Sequence, residues 1–497
     1  MSSFAQVLDQ LRENQPVGRY GSAFEKLMVN YFREDPVMAN EYDEVYRWVD
    51  WRYNGGRADT GIDLVARRRE DGRWAAIQCK FYKPTTYLQK GHLDSFFEAS
   101  GHSFDTEDGA QTFANRIVIS TTDRWSANAE KALEKQIIPT SRIGLADIAH
   151  SPIDWDVAFP GSEVQVNLSR KETFSPRPHQ QAAIEETLEG FKSCDRGKLI
   201  MACGTGKTFT ALRLAEKVAE AGNGAARVLF LVPSISLLSQ TLKEWTAQAR
   251  LDLRSVAVCS DTKVSKKAED IASYDLEVPV STNGAEIARR MSSGRRGRGL
   301  HVVFSTYQSL PAIHDAQAQG LDAFDMVICD EAHRTTGVTL AGEEASNFTR
   351  VHDATYIKAA KRLYMTATPR LFDDAVKGKA AEHFAEVASM DDEAIFGPEF
   401  YRLGFGEAVE AGLLTDYRVL VMTVDEDVVA GTLSRGDQEI NLSLASAMIG
   451  AWNGLAKRSG KEQGTKSGFD HGATPMEVVN SVVYGGWVYR YGFIRSG

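Results

Sequence analysis

Two α/β units in series, the second built on a parallel sheet, are predicted by three observations. Apolar runs of four or five residues recur between helical stretches from residue 198 to residue 365. A connector rich in chain breakers (Ser151-Pro152, Phe159-Pro160-Gly161, Ser175-Pro176-Arg177-Pro178) divides them from an N-terminal segment with its own helix and strand patterns. At 497 residues, 43% of them hydrophobic and 25% charged, the chain is too long for one core and ordinary for a globular protein. That composition excludes disordered, collagen-like and disulfide-scaffold chains. The longest apolar runs, such as Val228 to Pro233, fall short of the roughly 18 to 20 residues a membrane helix needs. The first 18 residues mix charges and hold no apolar signal region. A cytoplasmic protein with no membrane partner is expected. The net charge of −10 excludes a small, wholly basic nucleic-acid binder but not a large enzyme with local basic clusters. Five scattered cysteines with no zinc-type spacing predict neither disulfides nor structural metal.

In chain order, the periodicity predicts a helix over Gly21 to Phe32, then strands at Ile62 to Ala66, Trp74 to Cys79 and Arg116 to Ser120. This first domain is assigned to residues 1–160, with a connector at 161–172. The second, 173–404, holds strands at Lys198 to Met201, Val228 to Val232, His301 to Ser305, Met326 to Cys329 and Lys361 to Met365. Apolar runs without alternation, separated by helices, are buried on both faces, which argues for a parallel sheet. Arg289 to Arg298 carries five arginines among Gly and Ser and reads as a solvated loop, with a phosphate-backbone contact as the alternative. From residue 405 to 497 only Tyr417 to Val424 reads as a strand, and the tail from Ser459 is punctuated by glycine without a clear period.

The strongest motif is Met201-Ala-Cys-Gly204-Thr205-Gly206-Lys207-Thr208, directly after a strand and before a helical run. Glycines let backbone N–H groups close round a phosphate, and the helix N-terminus adds its dipole. Lys207 suits β/γ charge and Thr208 suits Mg²⁺. The strict form would place Gly at position 201, which is Met. Asp330-Glu331-Ala332-His333 follows another strand, 123 residues past the lysine, at the carboxyl edge where ligands bind. Asp330 suits water-mediated Mg²⁺ binding, and Glu331 suits activation of the attacking water. Four further strings follow in order: Arg177-Pro178-His179-Gln180, Val232-Pro233-Ser234, Ser305-Thr306-Tyr307-Gln308 and Thr366-Ala367-Thr368-Pro369.

These six elements resemble the superfamily 2 helicases and translocases. The resemblance implies a RecA-like P-loop ATPase lobe that binds ATP through Gln180, Gly204, Thr205, Gly206, Lys207, Thr208, Asp330 and His333. It implies DNA contacts at Pro233, Ser234 and Thr306, and coupling of hydrolysis to strand movement at Thr366 and Thr368.

In the first domain, Asp63 and the Gln78-Cys79-Lys80 triplet fall on adjacent strands 17 residues apart, enough for a hairpin. Period two puts Gln78 and Lys80 on one face and Ile77 and Cys79 on the other. Phosphodiester hydrolysis needs a carboxylate-held cation and a positive group beside the developing charge. Asp63, Gln78 and Lys80 supply these, and Glu25 on the preceding helix is a further candidate metal ligand. Asp63 is preferred to Asp59 because it lies in the apolar strand. The pattern resembles the PD-(D/E)xK restriction-endonuclease-like fold, in the Mrr-like branch where Gln replaces an acid. Arg116 to Thr122 and Arg142 to Asp147 extend the match.

Nuclease followed by motor resembles the front of the single-chain type ISP restriction–modification enzymes, supported by Leu93 to Phe96, Val258 to Lys263 and Ala451 to Lys457. The resemblance implies an ATP- and Mg²⁺-dependent endonuclease and translocase acting on double-stranded DNA. No Gln-x-x-Gly-Arg-x-x-Arg or Asn-Pro-Pro-Tyr string is present. The expectation is therefore a truncated chain with slow turnover, its methyltransferase and target-recognition part on a downstream chain. The other readings are a non-catalytic DNA- and nucleotide-binding remnant and a stand-alone Mrr-like type IV restriction motor. The nuclease, with its own strands, is expected to fold without the motor.

Overall fold

The computed structural model describes residues 4–14, 20–56, 61–134, 136–155, 169–170, 173–260, 272–292, 298–339, 346–372 and 386–416. The N-terminal sheet consists of β1 (Tyr42–Arg47), β2 (Leu64–Arg68), β3 (Trp74–Lys80), β4 (Asn115–Ser120) and β5 (Thr140–Ile143), adjacent in that order. β1, β2 and β3 pair antiparallel, whereas β3, β4 and β5 pair parallel. Alternation along β3 sends Ala75 and Ile77 into one apolar cluster and Trp74 and Ala76 into the other. α1 (Phe4–Asn14), α2 (Tyr20–Glu34) and α3 (Pro36–Glu41) contribute to the first cluster through Phe4, Phe24, Leu27, Met28 and Met38. α3 starts sharply because the Asp35 carboxylate accepts from the amides of Val37 and Met38 and Pro36 occupies the first turn.

The second sheet uses β6 (Arg196–Met201), β7 (Ala225–Val232), β8 (Leu253–Val258), β9 (Gly299–Thr306), β10 (Met326–Cys329), β11 (Arg362–Thr366) and β12 (Glu399–Leu403). Their order is β8-β9-β7-β10-β11-β6-β12, and every pairing is parallel. The five strands expected from apolar runs are therefore the five inner ones. α4 (Pro178–Ser193), α5 (Lys207–Ala221), α6 (Ile235–Gln248) and α7 (Gly284–Ser292) lie among the connections.

Residues Met1–Phe405 group as one compact unit and Gly406–Gly497 as another. Described residues of the second, 406–416, hold most of a short helix (Phe405–Glu410) and the turn after it. Asp59, the strand expected at Tyr417 to Val424 and the tail lie outside the described residues.

Within the first unit the two sheets are joined by more than the connector. α3 packs on α6 and β8. One apolar cluster runs from Phe4, Val37 and Ile148 through to Trp245, Leu253 and Val278. Beside it, Arg290 of α7 reaches the Glu41 carboxylate at 3.3 Å and also pairs with Glu70, while its side chain is only 2% accessible. Arg289 lies 3.2 Å from Glu70 and 3.6 Å from Asp71. Arg68 completes the cluster at 3.2 Å from Glu70, 3.6 Å from Asp71 and 3.8 Å from Glu41. Burial pushes the Glu41 carboxyl up, and Arg290 and Arg68 pull it back.

One expectation is corrected here. Arg290 lies in no solvated loop and meets no phosphate, because buried carboxylates of the first domain take its charge, whereas Arg289 is half-exposed at the cluster's rim. Residues 293–297 of the same run lie outside the described residues. Without the motor the nuclease domain would keep Arg68 beside Glu41 and Glu70 but lose Arg290, and its folding alone stands as an expectation.

Arg290→Met is expected to lower stability to urea by about 3–5 kcal/mol, since removing one partner strands buried charge. Adding Glu41→Gln should recover part of that loss. A single-variant loss within experimental error of zero would show that the cluster is hydrated.

Candidate functional site

The nucleotide loop begins where β6 ends at Met201 and turns at Gly204 (φ +83°) and Gly206 (φ +86°) before α5 starts at Lys207. The tight turns fall at the two glycines, so a buried Met201 closes the strand where the strict motif has Gly. Gly206 is required on a second count. A Cβ there would lie 2.3 Å from the Gln180 amide nitrogen. Gln180 accepts from the Arg177 amide at 2.8 Å and donates to the Thr205 carbonyl at 3.2 Å. His179 Nε2 lies 3.0 Å from the same carbonyl. Lys207 Nζ donates to the Met201 carbonyl at 3.3 Å, folded back over its own loop. Trp245 of α6 donates to the Thr208 carbonyl at 3.0 Å.

Opposite the loop, Asp330 ends β10 and its carboxyl is pushed up to about 6, first by burial and then by Glu331, with Lys207 opposing. Glu331 adopts a left-handed conformation (φ +50°) and donates its amide to Asp330 Oδ1 at 3.0 Å. His333 Nδ1 lies 3.3 Å from Glu331 Oε2 and 3.0 Å from Thr366 Oγ1, which accepts from the Thr368 amide at 3.1 Å. The acidic pair is thus wired to the end of β11. Burial draws the His333 pKa down.

Pro233, Ser234 and Thr306 are placed less favourably for a strand. Pro233 and Thr306 are buried, Thr306 Oγ1 lies 3.1 Å from Ser309 Oγ, and Ser234 caps α6 by accepting from Leu237 N at 3.3 Å. The Ser234 and Thr306 hydroxyls already have local partners, and the DNA contacts implied for these three residues stand as an expectation. Two residues escaped the sequence reading. The Tyr307 hydroxyl donates to the Asp330 carbonyl at 2.8 Å, and Glu244 of α6 is raised by burial and by Asp330. Glu244 is one acid on a helix and carries no motif.

In the first domain, Asp63 lies one residue before β2 rather than inside it. Its backbone still bridges both neighbours, donating to the Ile77 carbonyl at 2.9 Å and accepting from Trp48 at 2.8 Å. Its Oδ2 accepts from the Cys79 amide at 2.6 Å, which fixes the carboxylate at the end of β3. Burial pushes the Cys79 thiol well up, Asp63 and Glu25 push it further and Lys80 opposes them, so all three charges converge there. Gln78 is 1% exposed and donates to the Gly61 carbonyl at 3.1 Å, while its Oε1 is buried without a hydrogen-bond partner among the described residues. No group of three His, Cys, Asp or Glu among the described residues is placed to hold a metal ion. A cation at Asp63 would need that amide oxygen.

Residues 33–165 match the restriction endonuclease family, and residues 173–371 match the family of the type III restriction enzyme res subunit. The chain joins a restriction-endonuclease domain to a restriction-type helicase domain. It is 35% identical to the ATP-dependent type ISP restriction-modification enzyme LlaBIII, solved bound to DNA, with a TM-score of 0.75 over 94% of this chain and 29% of that one. A probable helicase, A859L, of African swine fever virus (isolate Tick/South Africa/Pretoriuskop Pr4/1996) is 30% identical over 62% of this chain and 32% of its own. The type I restriction enzyme EcoAI endonuclease subunit of Escherichia coli is 26% identical over 54% and 26%. The chain thus spans about a third or less of the length of these relatives. No helix among the described residues is long and apolar enough to cross a membrane.

One buried histidine supports the helicase domain's acidic turn. His352 Nε2 lies 2.9 Å from the Thr335 carbonyl and Nδ1 lies 3.0 Å from the Tyr364 hydroxyl. A carbonyl only accepts, so Nε2 carries a proton. Burial draws its pKa from 6.5 to about 4. Between those values the unfolded chain binds the extra proton, so stability present above pH 6.5 is lost as pH falls towards 4. The expected loss between about pH 7 and pH 5 is about 2 kcal/mol in urea titrations, flattened in His352→Gln. An equally steep profile in the variant would assign the loss to other groups.

Proposed function

We propose that the chain is the nuclease-and-motor portion of an ATP-dependent DNA restriction enzyme. Residues 1–160 form the endonuclease domain, 161–172 the connector, 173–404 the ATP-binding lobe and 405–497 the start of a second lobe. The observation that carries this reading is the pairing, in one compact unit, of the Asp63–Gln78–Lys80 set with the Lys207–Asp330–Glu331 set. Double-stranded DNA is the substrate, and the cytoplasm is the site of action.

ATP and Mg²⁺ are the cofactors of this reading, and the donor sets suit them. In the endonuclease domain, Asp63 with the orphaned Gln78 oxygen would hold a cation, with Glu25 as the further ligand. In the lobe, Asp330 and Thr208 would hold the cation that accompanies the nucleotide. Bound Mg²⁺ supplies charge stabilisation and lowers the pKa of a coordinated water. Lys80 places positive charge beside the scissile phosphate. Lys207 leaves the Met201 carbonyl for the β/γ-phosphates, and the backbone N–H groups from Gly204 to Thr208 line the anion site. Glu331 accepts the proton of the attacking water, and His333 and Thr366 carry the change of charge to β11.

Mg²⁺–ATP binding by calorimetry is expected for the wild-type chain and lost in Lys207→Ala; equal affinities would refute the nucleotide site. Plasmid nicking in Mg²⁺ without ATP should fall about 10²–10³-fold in Asp63→Ala and Lys80→Ala and persist in Lys207→Ala. The reverse pattern in folded proteins would remove the nuclease assignment.

A further inference from the structure

Immediately after Lys80 the chain forms a ledge whose outward side chains no motif accounts for. Its backbone is fastened to the segment that follows β4. The Thr121 amide donates to the Lys80 carbonyl at 3.0 Å, and its hydroxyl donates to the Tyr82 carbonyl at 2.7 Å. The buried Thr122 hydroxyl lies 3.1 Å from the Pro84 carbonyl and 2.7 Å from that of Thr86. Leu88 N donates to the Arg124 carbonyl at 2.8 Å and Ser126 N to the Leu88 carbonyl at 3.0 Å, a short parallel bridge. Leu88 and Trp125 point inward to the apolar cluster. Alternation therefore turns their neighbours Tyr87 and Arg124 outward.

Tyr87 is 55% exposed, and the Arg124 guanidinium lies 5.7 Å from its ring centroid. Lys83 is exposed and makes no ion pair with any described residue. The nearby acids are directed elsewhere: Asp123 accepts from the Leu145 amide at 3.0 Å, and Asp94 sits 3.8 Å from Lys90. The ledge is thus a fixed, net-positive surface with an aromatic face. Lys83 follows Lys80 by three residues, a span of at most about 10 Å.

We infer that Lys83, Tyr87 and Arg124 grip the backbone of duplex DNA beside the phosphate that is cut. This rests on the nuclease reading of Asp63 and Lys80 and identifies where that site holds its substrate. Two cations on a backbone pinned by buried threonines meet phosphates without ordering a loop at the moment of binding. Tyr87 packs against the sugar edge and keeps Arg124 extended.

The test uses the full chain and a short labelled duplex in EDTA, with affinity followed against salt concentration. Each lost phosphate contact lowers the slope of log K against log salt by about 0.9, so Lys83→Gln with Arg124→Gln should lower it by about 2. Tyr87→Ala should weaken binding several-fold without changing the slope. An unchanged slope in the double variant would overturn the ledge, since the motor's own contacts are common to both proteins. Asp63→Ala, measured in parallel, should keep the full slope and lose nicking. If the double variant lowers the slope while Asp63→Ala still nicks, the ledge stands and the cleavage assignment fails. If nicking is lost in Asp63→Ala and the slope is unmoved in the double variant, the cleavage site stands and the ledge fails.

Discussion

A guanidinium buried between two sheets sets the geometry of this chain. Arg290 enters from the motor side and meets Glu41 and Glu70, which already share Arg68. None of these charges has water enough to be stable alone, so the carboxylates of the first domain need a cation from the second. Desolvated pairs of this kind add little net stability against an apolar replacement, but they fix position well. Two more pairs lie along the same seam. Arg142 reaches Asp275 at 2.5 Å, and Lys243 reaches Asp147 at 2.7 Å and Glu277 at 2.6 Å. Three charged contacts and the apolar cluster beside them join the nuclease sheet to the motor beyond the connector.

That docking brings the two candidate sites into mechanical relation. α6 holds both Lys243, tied to Asp147 of the nuclease, and Trp245, tied to the Thr208 carbonyl of the nucleotide loop. Glu244 between them feels Asp330. Residues this close on a helix move together, because one turn is held by its own backbone bonds. Asp147 and Glu277 hold Lys243 above its ordinary range, and Lys243 in turn opposes the burial that pushes the Glu277 carboxyl up.

Much of this was legible in the sequence, and what was not has a common cause. The inner strands of the second sheet declare themselves because burial on both faces demands unbroken apolar runs, as in Val228 to Val232. β1 is hidden because Tyr42 and Val45 are buried three residues apart with charges between, which matches no strand period. β12 at the sheet edge, Glu399–Leu403, buries only Leu403 and is equally mute. Motifs located Lys207, Asp330, Asp63 and Lys80 because the chemistry fixes residue type and spacing together. Arg290 was misread because a charge run looks the same whether it faces water or a carboxylate 220 to 249 residues away. Thr306 shows the converse: a hydroxyl at a strand end is as readily absorbed by Ser309 as offered to a ligand, and a motif alone does not tell which.

Three departures from local preference fall at the candidate sites. Glu331 sits in a left-handed conformation costly for any residue with a Cβ, Asp330 is a carboxyl driven up by burial, and Gln78 keeps an oxygen without a donor. Each is held by a specific neighbour: the Glu331 amide on Asp330 Oδ1, the Tyr307 hydroxyl on the Asp330 carbonyl, the Gly61 carbonyl on the Gln78 amide nitrogen. An unpaired buried oxygen costs about 1–3 kcal/mol, which a structural hairpin would shed by exchanging Gln78 for an apolar residue. The same argument applies to Asp330, since a valine there would extend β10 without desolvating a charge. Local cost held in place by surrounding bonds marks a position where the bound partner, not the fold, completes the coordination. Both candidate sites carry such costs, on separate sheets of the one compact unit formed by Met1–Phe405.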